Sequence, residues 1–511
     1  MNFKNSRFVF YLTFFFIIII LLLFSPAFVS KLQRSHINLI EGNQSVEFYI
    51  YKFRIFLFFF FIISIFYSEA FFSFSQNNNF SFLTKKKSFL IFFFFFSLIL
   101  SVYPRYITGD EVHYLNLSKS IIKEGNLELS EYKNISKGHY IENKEGKLYS
   151  IHYPLLSVLI SIPYLLGGVV GVKISMGIFW FFCVWIIFLI LEKENLLKNN
   201  MIFLSLLFLS SPFSYFPGEI YPELIGGFLL ISAFYLIEYK RASFQRELNI
   251  GIIFSLLLWL SIRYYPIVFI FALYYLIKNK KIPFLTGLLV SASVIFQMFI
   301  FLRWYGSPLP WAVYKGTGIV SRGNFIRGFF GLFLDQQSGL FVISPLYILI
   351  FSAIYLFYKT KKDFTIFFTL SVLAYTILTG SAEHWNGHWS PSSRLWFIFL
   401  PFFIILLVFL YSKSKKRNPL TKLLKFLTFL SLWWGYLYNI LPDKRCGVYG
   451  QEGANFFIHT FAKISGINLD TFFIRFYNGK IYPIALTFEI IFIIAINIFV
   501  IKKLSLNQTK Y

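Results

Sequence analysis

Phe89-Leu-Ile-Phe-Phe-Phe-Phe-Phe-Ser-Leu-Ile-Leu-Ser-Val-Tyr-Pro-Arg-Tyr-Ile-Thr-Gly-Asp110-Glu-Val-His-Tyr-Leu-Asn-Leu117 decides how the chain is read. An apolar run long enough to cross a bilayer ends in two adjacent acids, a His and a Tyr, so a carboxylate pair is delivered to a membrane surface. With the residues after Gly109 helical, Asp110, His113, Tyr114 and Leu117 share one face at spacings of three, four and seven, while Glu111 points about 100° away. The two acids therefore have different surroundings and different jobs.

The rest of the chain repeats the apolar half of that pattern. Of 511 residues, 57% are hydrophobic, only 14% are charged and 71 are Phe, which excludes a single soluble domain and predicts an all-α polytopic membrane protein. Phe, Ile, Lys and Asn are enriched together, as AT-rich coding gives, so the Phe runs carry no functional reading. The net charge of +25 is dispersed in short clusters between apolar runs, the way cytoplasmic loops retain Lys and Arg, which argues against a nucleic-acid partner and for the lipid bilayer. The two cysteines, Cys183 and Cys446, form no disulfide framework and no cysteine metal site.

Residues 1–85 read as an N-terminal transmembrane hairpin. Lys4 and Arg7 precede an apolar stretch without a small-x-small cleavage site, hence an uncleaved anchor, and a second span over about 55–74 returns the chain. With Lys85 to Lys87 inside, the run to Tyr106 leads to a first outer loop over 107–150. Further spans are expected at 172–191, 201–216, 222–238, 248–262, 266–277, 283–302, 339–358, 364–380, 395–411, 423–441 and 483–501. Along this path Lys193/Lys198, Lys240/Arg241/Arg246, Lys278/Lys280/Lys281, Lys359/Lys361/Lys362, Lys413 to Arg417 and Lys502/Lys503 all fall on one side, the cytoplasmic one. Were Tyr153 to Val170 also to cross, every later cluster would move outside. That segment is therefore expected to lie along the outer interface or dip in and return, broken by Pro154, Pro163 and Gly167-Gly168. The total is about 14 transmembrane helices with both termini inside. Residues 86–411 form the core, and 412–511 form C-terminal helices with an outer loop at 442–482.

Every unusual polar cluster then lies on the outer side. Asp110, after a Gly and before an apolar-periodic stretch, suits a helix N-cap as well as a general base. Phe216-Pro-Gly-Glu-Ile-Tyr-Pro-Glu223 sets Glu219 and Glu223 at the membrane face, although Pro222 and Glu223 are also what a helix start and its dipole favour. Arg263, in Arg263-Tyr-Tyr-Pro266, either snorkels to headgroups or turns inward to bind phosphate. The stretch from Arg303 to Asp335 adds Trp304, Lys315, Arg322 and Arg327, and Asp335-Gln-Gln-Ser-Gly-Leu-Phe-Val-Ile-Ser-Pro345 follows. In Glu383-His-Trp-Asn-Gly-His-Trp-Ser-Pro-Ser-Ser-Arg394, His384 and His388 stand four apart, but Gly387 and Pro391 oppose the helix that a zinc pair at that spacing needs. An interfacial aromatic belt accounts for Trp385 and Trp389. Glu489 alone sits well inside an apolar run, where it faces the protein interior, is protonated or marks a path.

Gly109-Asp-Glu-Val-His-Tyr-Leu115, together with Ser120, Gly125-Asn-Leu127 and Tyr149-Ser-Ile-His-Tyr-Pro-Leu155, resembles the first outer loop of the C-type (GT-C) membrane glycosyltransferases, relatives of protein O-mannosyltransferases and of the lipid A aminoarabinose transferase. His152-Tyr-Pro-Leu155 is similar to a His-Pro-Pro-Leu-like interfacial motif of that superfamily, with Tyr153 for the first Pro. Gly339 to Pro345 is similar to a Gly-Leu-x-x-x-Ser-Pro signature of bacterial members, and Trp385 to Arg394 to a Trp-x-Gly-Gly...Gly-x-Arg run, with Asn386 and Ser392 where Gly is usual. The resemblance covers residues 89–411. It implies an inverting sugar transfer from a polyprenyl-phosphate donor to a glycolipid or protein acceptor, at the outer face of a bacterial-type inner membrane. Asp110 is implied as the catalytic base with Glu111 beside it, Arg394 with Arg263 or Lys315 as phosphate ligands, and His113, His152, Glu219, Glu223, His384 and His388 as substrate-binding residues. Some relatives imply a divalent metal, Mg or Mn, for which no ligand set stands out. An O-antigen ligase or polymerase is the enzymatic alternative and a lipid-linked-sugar transporter the non-enzymatic one. A transporter would carry mid-membrane charges and internal repeats, and the sequence has one buried acid and no clear repeat.

Overall fold

The computed structural model describes residues 82–505 except 104, 106, 133–138, 198–199, 281, 315–323, 388, 415–418, 441–454, 467–468, 470–471 and 477–480. The N-terminal hairpin, Lys315, His388, Cys446 and much of the 442–482 loop lie outside the described residues.

The described chain is mostly helical, as the composition demands. Its helices are α1 (Phe82–Ser101), α2 (Glu111–Glu124), α3 (Leu155–Lys193), α4 (Met201–Leu209), α5 (Pro222–Tyr239), α6 (Phe244–Leu260), α7 (Tyr265–Asn279), α8 (Phe284–Tyr305), α9 (Phe325–Leu334), α10 (Ile350–Tyr358), α11 (Lys362–Gly380), α12 (Leu400–Lys413), α13 (Pro419–Ile440), α14 (Phe456–Ser465) and α15 (Pro483–Ser505). Among the described residues five helices are long and apolar enough to cross a membrane, by length and composition: α3, α5, α8 with the turn that follows it, α11 and α15. Segments α9, α10 and α12 are apolar but shorter.

Prolines and small polar residues set the joints. Pro222 begins α5, Ser243 caps α6 by accepting from the Arg246 N–H, and Ser261 accepts from the Arg263 N–H where α6 gives way to α7. Three expected spans are shorter than the apolar run suggested. The 201–216 helix stops at Leu209 before Ser211-Pro212, the 339–358 span is broken at Ser344-Pro345, and the 395–411 helix starts at Leu400 behind a 3-10 turn at Arg394–Trp396. Proline removes a ladder donor in each of the first two cases. The stretch before Asp335, read as loop, contains α9, which buries Gly328 and Gly331 against the end of α11 and Trp385. The fold is also not purely helical. Strands β1 (Tyr140–Glu142) and β2 (Leu148–Ser150) pair antiparallel between α2 and α3, turned by Asn143, whose Oδ1 accepts from the N–H of Glu145 and Lys147.

Helix α3 is broken at Gly167-Gly168 as expected, while Pro154 stands at its N-cap and Pro163 stays within the helix. Its 39 residues would run about 58 Å if straight, nearly twice a bilayer core of about 30 Å. Gly167 and Gly168 leave helical geometry, Gly168 with φ of +57°, which splits α3 in two. The first half packs beside α2, where the Ser118 hydroxyl donates to the Ser157 carbonyl at 2.9 Å, and exposes Ile162, Leu165 and Leu166. The second half packs on α1 through Trp180, which meets Phe93 and Phe96.

Charge is sorted between the ends of this bundle. At one end Lys86 pairs with Glu192, Lys361 with Glu194 at 2.6 Å and Glu238 at 3.4 Å, and Lys278 with Glu238 at 3.1 Å. These are the ends that the basic clusters placed together. The opposite ends of α1, α3, α5 and α7 meet around Asp110.

Candidate functional site

The exit from α1 is tied down first. Arg105 reaches Glu111 with both terminal nitrogens, at 2.8 and 2.6 Å, and its Nη2 also donates to the Gly218 carbonyl at 2.7 Å and lies 3.0 Å from Glu219. Glu111 further accepts from the backbone N–H of Thr108 and Ile220, at 2.9 and 2.8 Å. Burial pushes the Glu111 carboxyl up, but Arg105 and the two backbone donors reverse this and hold it below its ordinary value. Glu111 and Glu219 are both fully buried, and through Arg105 these two expected site residues anchor the chain leaving α1 onto the turn before α5.

Asp110 faces elsewhere, as the helical spacing predicts. It stands at the N-cap position of α2, but its side chain makes no cap hydrogen bond. Its Oδ2 accepts instead from Arg394 Nη1 at 3.0 Å. The turn that aims it depends on Gly109: φ is +54°, and a Cβ there would lie 2.9 Å from the Trp389 carbonyl oxygen. Arg394 is buried, stacks its guanidinium 4.3 Å from the centre of the Tyr221 ring and keeps its Nε 3.6 Å from Glu223. Arg263 Nη1 lies 3.8 Å from the same Glu223 oxygen, Oε1. Two carboxylates and two guanidiniums thus alternate in one cleft. Burial pushes the Asp110 carboxyl up, yet Arg394 and then His152 outweigh it and hold it far below the usual carboxylate range. Burial also opposes the Arg394 charge, and Glu223 and Asp110 more than restore it. Exposure separates the roles: the Asp110 side chain is 28% exposed, against 3% for Glu223 and 6% for Arg394, so Asp110 is the acid that a solute meets. The buried Arg394 Nε and Glu223 Oε2 have no hydrogen-bond partner.

His113 on α2, His139 just before β1 and His152 just after β2 meet beside this cleft. The hairpin ladder continues past its strands, with the Ile151 N–H donating to the His139 carbonyl at 3.1 Å, and so brings residues 139 and 152 side by side. Their rings lie 3.1 Å apart between His139 Nδ1 and His152 Nε2, and His113 stacks on His139 with centroids 3.8 Å apart. Burial lowers all three imidazoles, His113 to about 3 and His152 to about 4. His384, on the Trp-rich turn, lies close enough to act electrostatically on His139.

A Mg or Mn ion fits this arrangement poorly. Such hard cations take oxygen donors. The carboxylates of the cleft are held by guanidiniums, and the only cluster of metal-ligating type among the described residues is the nitrogen trio.

The structure therefore brings together Asp110, His113, His152, Glu223, Arg263 and Arg394, sets Glu111 and Glu219 in the adjoining anchor, and leaves His384 at the rim. The run from Asp335 to Pro345 supports the site from behind. Asp335 accepts from Ser338 and from the Phe476 N–H, and the Ser393 hydroxyl donates to the Ser338 carbonyl, next to Arg394. Arg105, Tyr221 and His139 escaped the sequence reading. Arg105 had a signal, being a lone basic residue six before an acid at a membrane exit, whereas His139 had none. No protein-family model matches the chain, and no curated protein or solved structure is detectably similar to it.

Proposed function

We propose that this chain is an integral membrane glycosyltransferase, moving a sugar from a polyprenyl-phosphate donor to a glycolipid or protein acceptor at the outer face of a bacterial-type inner membrane. In this reading it has about 14 spans with both termini cytoplasmic, a register supported by the sorting of Lys86, Lys278 and Lys361 to one end of the bundle and of Asp110 to the other.

The observation that carries the reading is the pairing of a partly exposed carboxylate with a buried guanidinium that has a second carboxylate behind it. A base held by Arg394 is a weak one. When a donor phosphate enters, its charge competes with Asp110 for Arg394, and Glu223 keeps the guanidinium from leaving the cleft. Asp110, released, regains basicity and takes the proton of the acceptor hydroxyl as that oxygen bonds to the anomeric carbon. The bond from that carbon to the phosphate oxygen breaks with its electron pair on the phosphate, whose growing charge Arg394 and Arg263 stabilise. The carrier chain lies between spans, and no metal takes part in these steps.

The test is glycan profiling of a deletion strain complemented with wild type or Asp110→Asn, with membrane insertion checked for both. Wild type restores a missing glycan and the Asn variant does not, with a rate loss of about 100-fold or more. Restoration by Asp110→Asn at wild-type level refutes the mechanism.

A further inference from the structure

We propose that His113, His139 and His152 bind one borderline divalent transition-metal ion of the zinc class, fastening both flanks of the β1–β2 hairpin to α2. Nothing in this proposal depends on sugar transfer. Seven histidines occur in 511 residues, and three of them, 26 and 13 positions apart in sequence, offer ligand nitrogens that all lie within 4.8 Å of one another. The spread is close to what a metal requires. Nitrogens at about 2.0–2.1 Å from a tetrahedral ion stand roughly 3.3 Å apart, and the His139 and His152 nitrogens are already 3.1 Å apart.

His113 supplies the third position. Its Nδ1 is buried without a hydrogen-bond partner, a state that a polar atom rarely keeps, and ligation would satisfy it. Its ring lies face to face with His139, so binding swings it edge-on through a side-chain rotation. Three imidazoles and no thiolate or carboxylate form a set that suits zinc, cobalt, nickel or copper and disfavours magnesium and calcium. They leave a fourth position for water or an oxygen donor. Asp110 acts electrostatically on all three rings and favours positive charge there, while Arg394 and Arg263 act against it at His152.

The experiment uses full-length protein in detergent, without a polyhistidine tag, stripped by chelator and desalted. Titration with Co2+ alone should load about one equivalent with visible d–d absorption, and Zn2+ should bleach it. Mg2+ should do neither. Uptake should fall to below about a fifth of an equivalent in His139→Ala and in His113→Ala, and stay at wild-type level in His384→Ala. Wild-type protein that, once reloaded with Zn2+, retains none through a second desalting overturns the proposal and leaves the trio a stack of neutral rings. So does uptake that survives in His113→Ala/His139→Ala, or is lost in His384→Ala. Should the histidine variants fail to purify as single species, the wild-type titration alone decides.

Discussion

Replacing Arg105 by alanine removes a guanidinium that serves two fully buried carboxylates and a carbonyl: Glu111 at 2.8 and 2.6 Å, Glu219 at 3.0 Å and the Gly218 oxygen at 2.7 Å. Glu111 keeps its backbone donors from Thr108 and Ile220, so its loss is partial, and Glu219 loses its 3.0 Å ion pair with Arg105. Breaking one partner out of a buried pair costs about 3–5 kcal/mol, because the remaining charge stays desolvated. At 1–2 °C per kcal/mol, roughly half the slope of 150–250-residue domains, the apparent unfolding midpoint should fall by about 3–10 °C. Detergent-solubilised membrane protein unfolds irreversibly, so the comparison is made at one scan rate, with limited proteolysis of the loop between α2 and α3 beside it. The loop should be cut faster in Arg105→Ala. A second variant, Arg105→Met with Glu111→Gln and Glu219→Gln, removes all three charges and should recover most of the loss. An Arg105→Ala protein that melts within about 1 °C of wild type with an unchanged cleavage pattern refutes the assignment of this trio as the anchor.

Gly109→Ala should lower the unfolding midpoint and slow transfer together, since positive φ costs about 1–2 kcal/mol and the new methyl meets the Trp389 carbonyl; both are read by melting and by glycan profiling. Arg394→Lys keeps the charge but loses the planar stack on Tyr221, so transfer should drop at least about tenfold with near-normal folding, measured as initial rates in membranes. Glu489→Leu should leave the midpoint unchanged or raise it, because Glu489 Oε2 is buried with no hydrogen-bond partner; a fall of more than about 2 kcal/mol equivalent would give this acid a structural role.

Much of the architecture is legible before any coordinates. Apolar runs and basic clusters obey the same physics whether read or folded, so the convergence of Lys86, Lys278 and Lys361 and the break at Gly167-Gly168 follow from spacing alone. What spacing does not contain is contact between distant segments. Asp110 and Arg394 are 284 residues apart, and each stands out in the sequence only by its own motif. His139 sat in a polar loop where no periodicity singles out one residue, and a hairpin too short to recognise supplied its neighbour. The adjacent acids Asp110 and Glu111 were separable because a helix turns by about 100° per residue; that Glu111 serves as an anchor depends on Arg105, whose partner across the fold was invisible in the sequence.

Because one guanidinium fastens the α1 exit and the turn before α5 to each other, the two pieces that carry Asp110 and Glu223 shift as a single block. The margin of the same loop at the Asn143 turn exposes Glu142, Lys144, Glu145 and Lys147 to solvent. Insertions or substitutions along that margin can therefore accumulate and reshape what the protein admits while the spacing of the acids beneath stays constant.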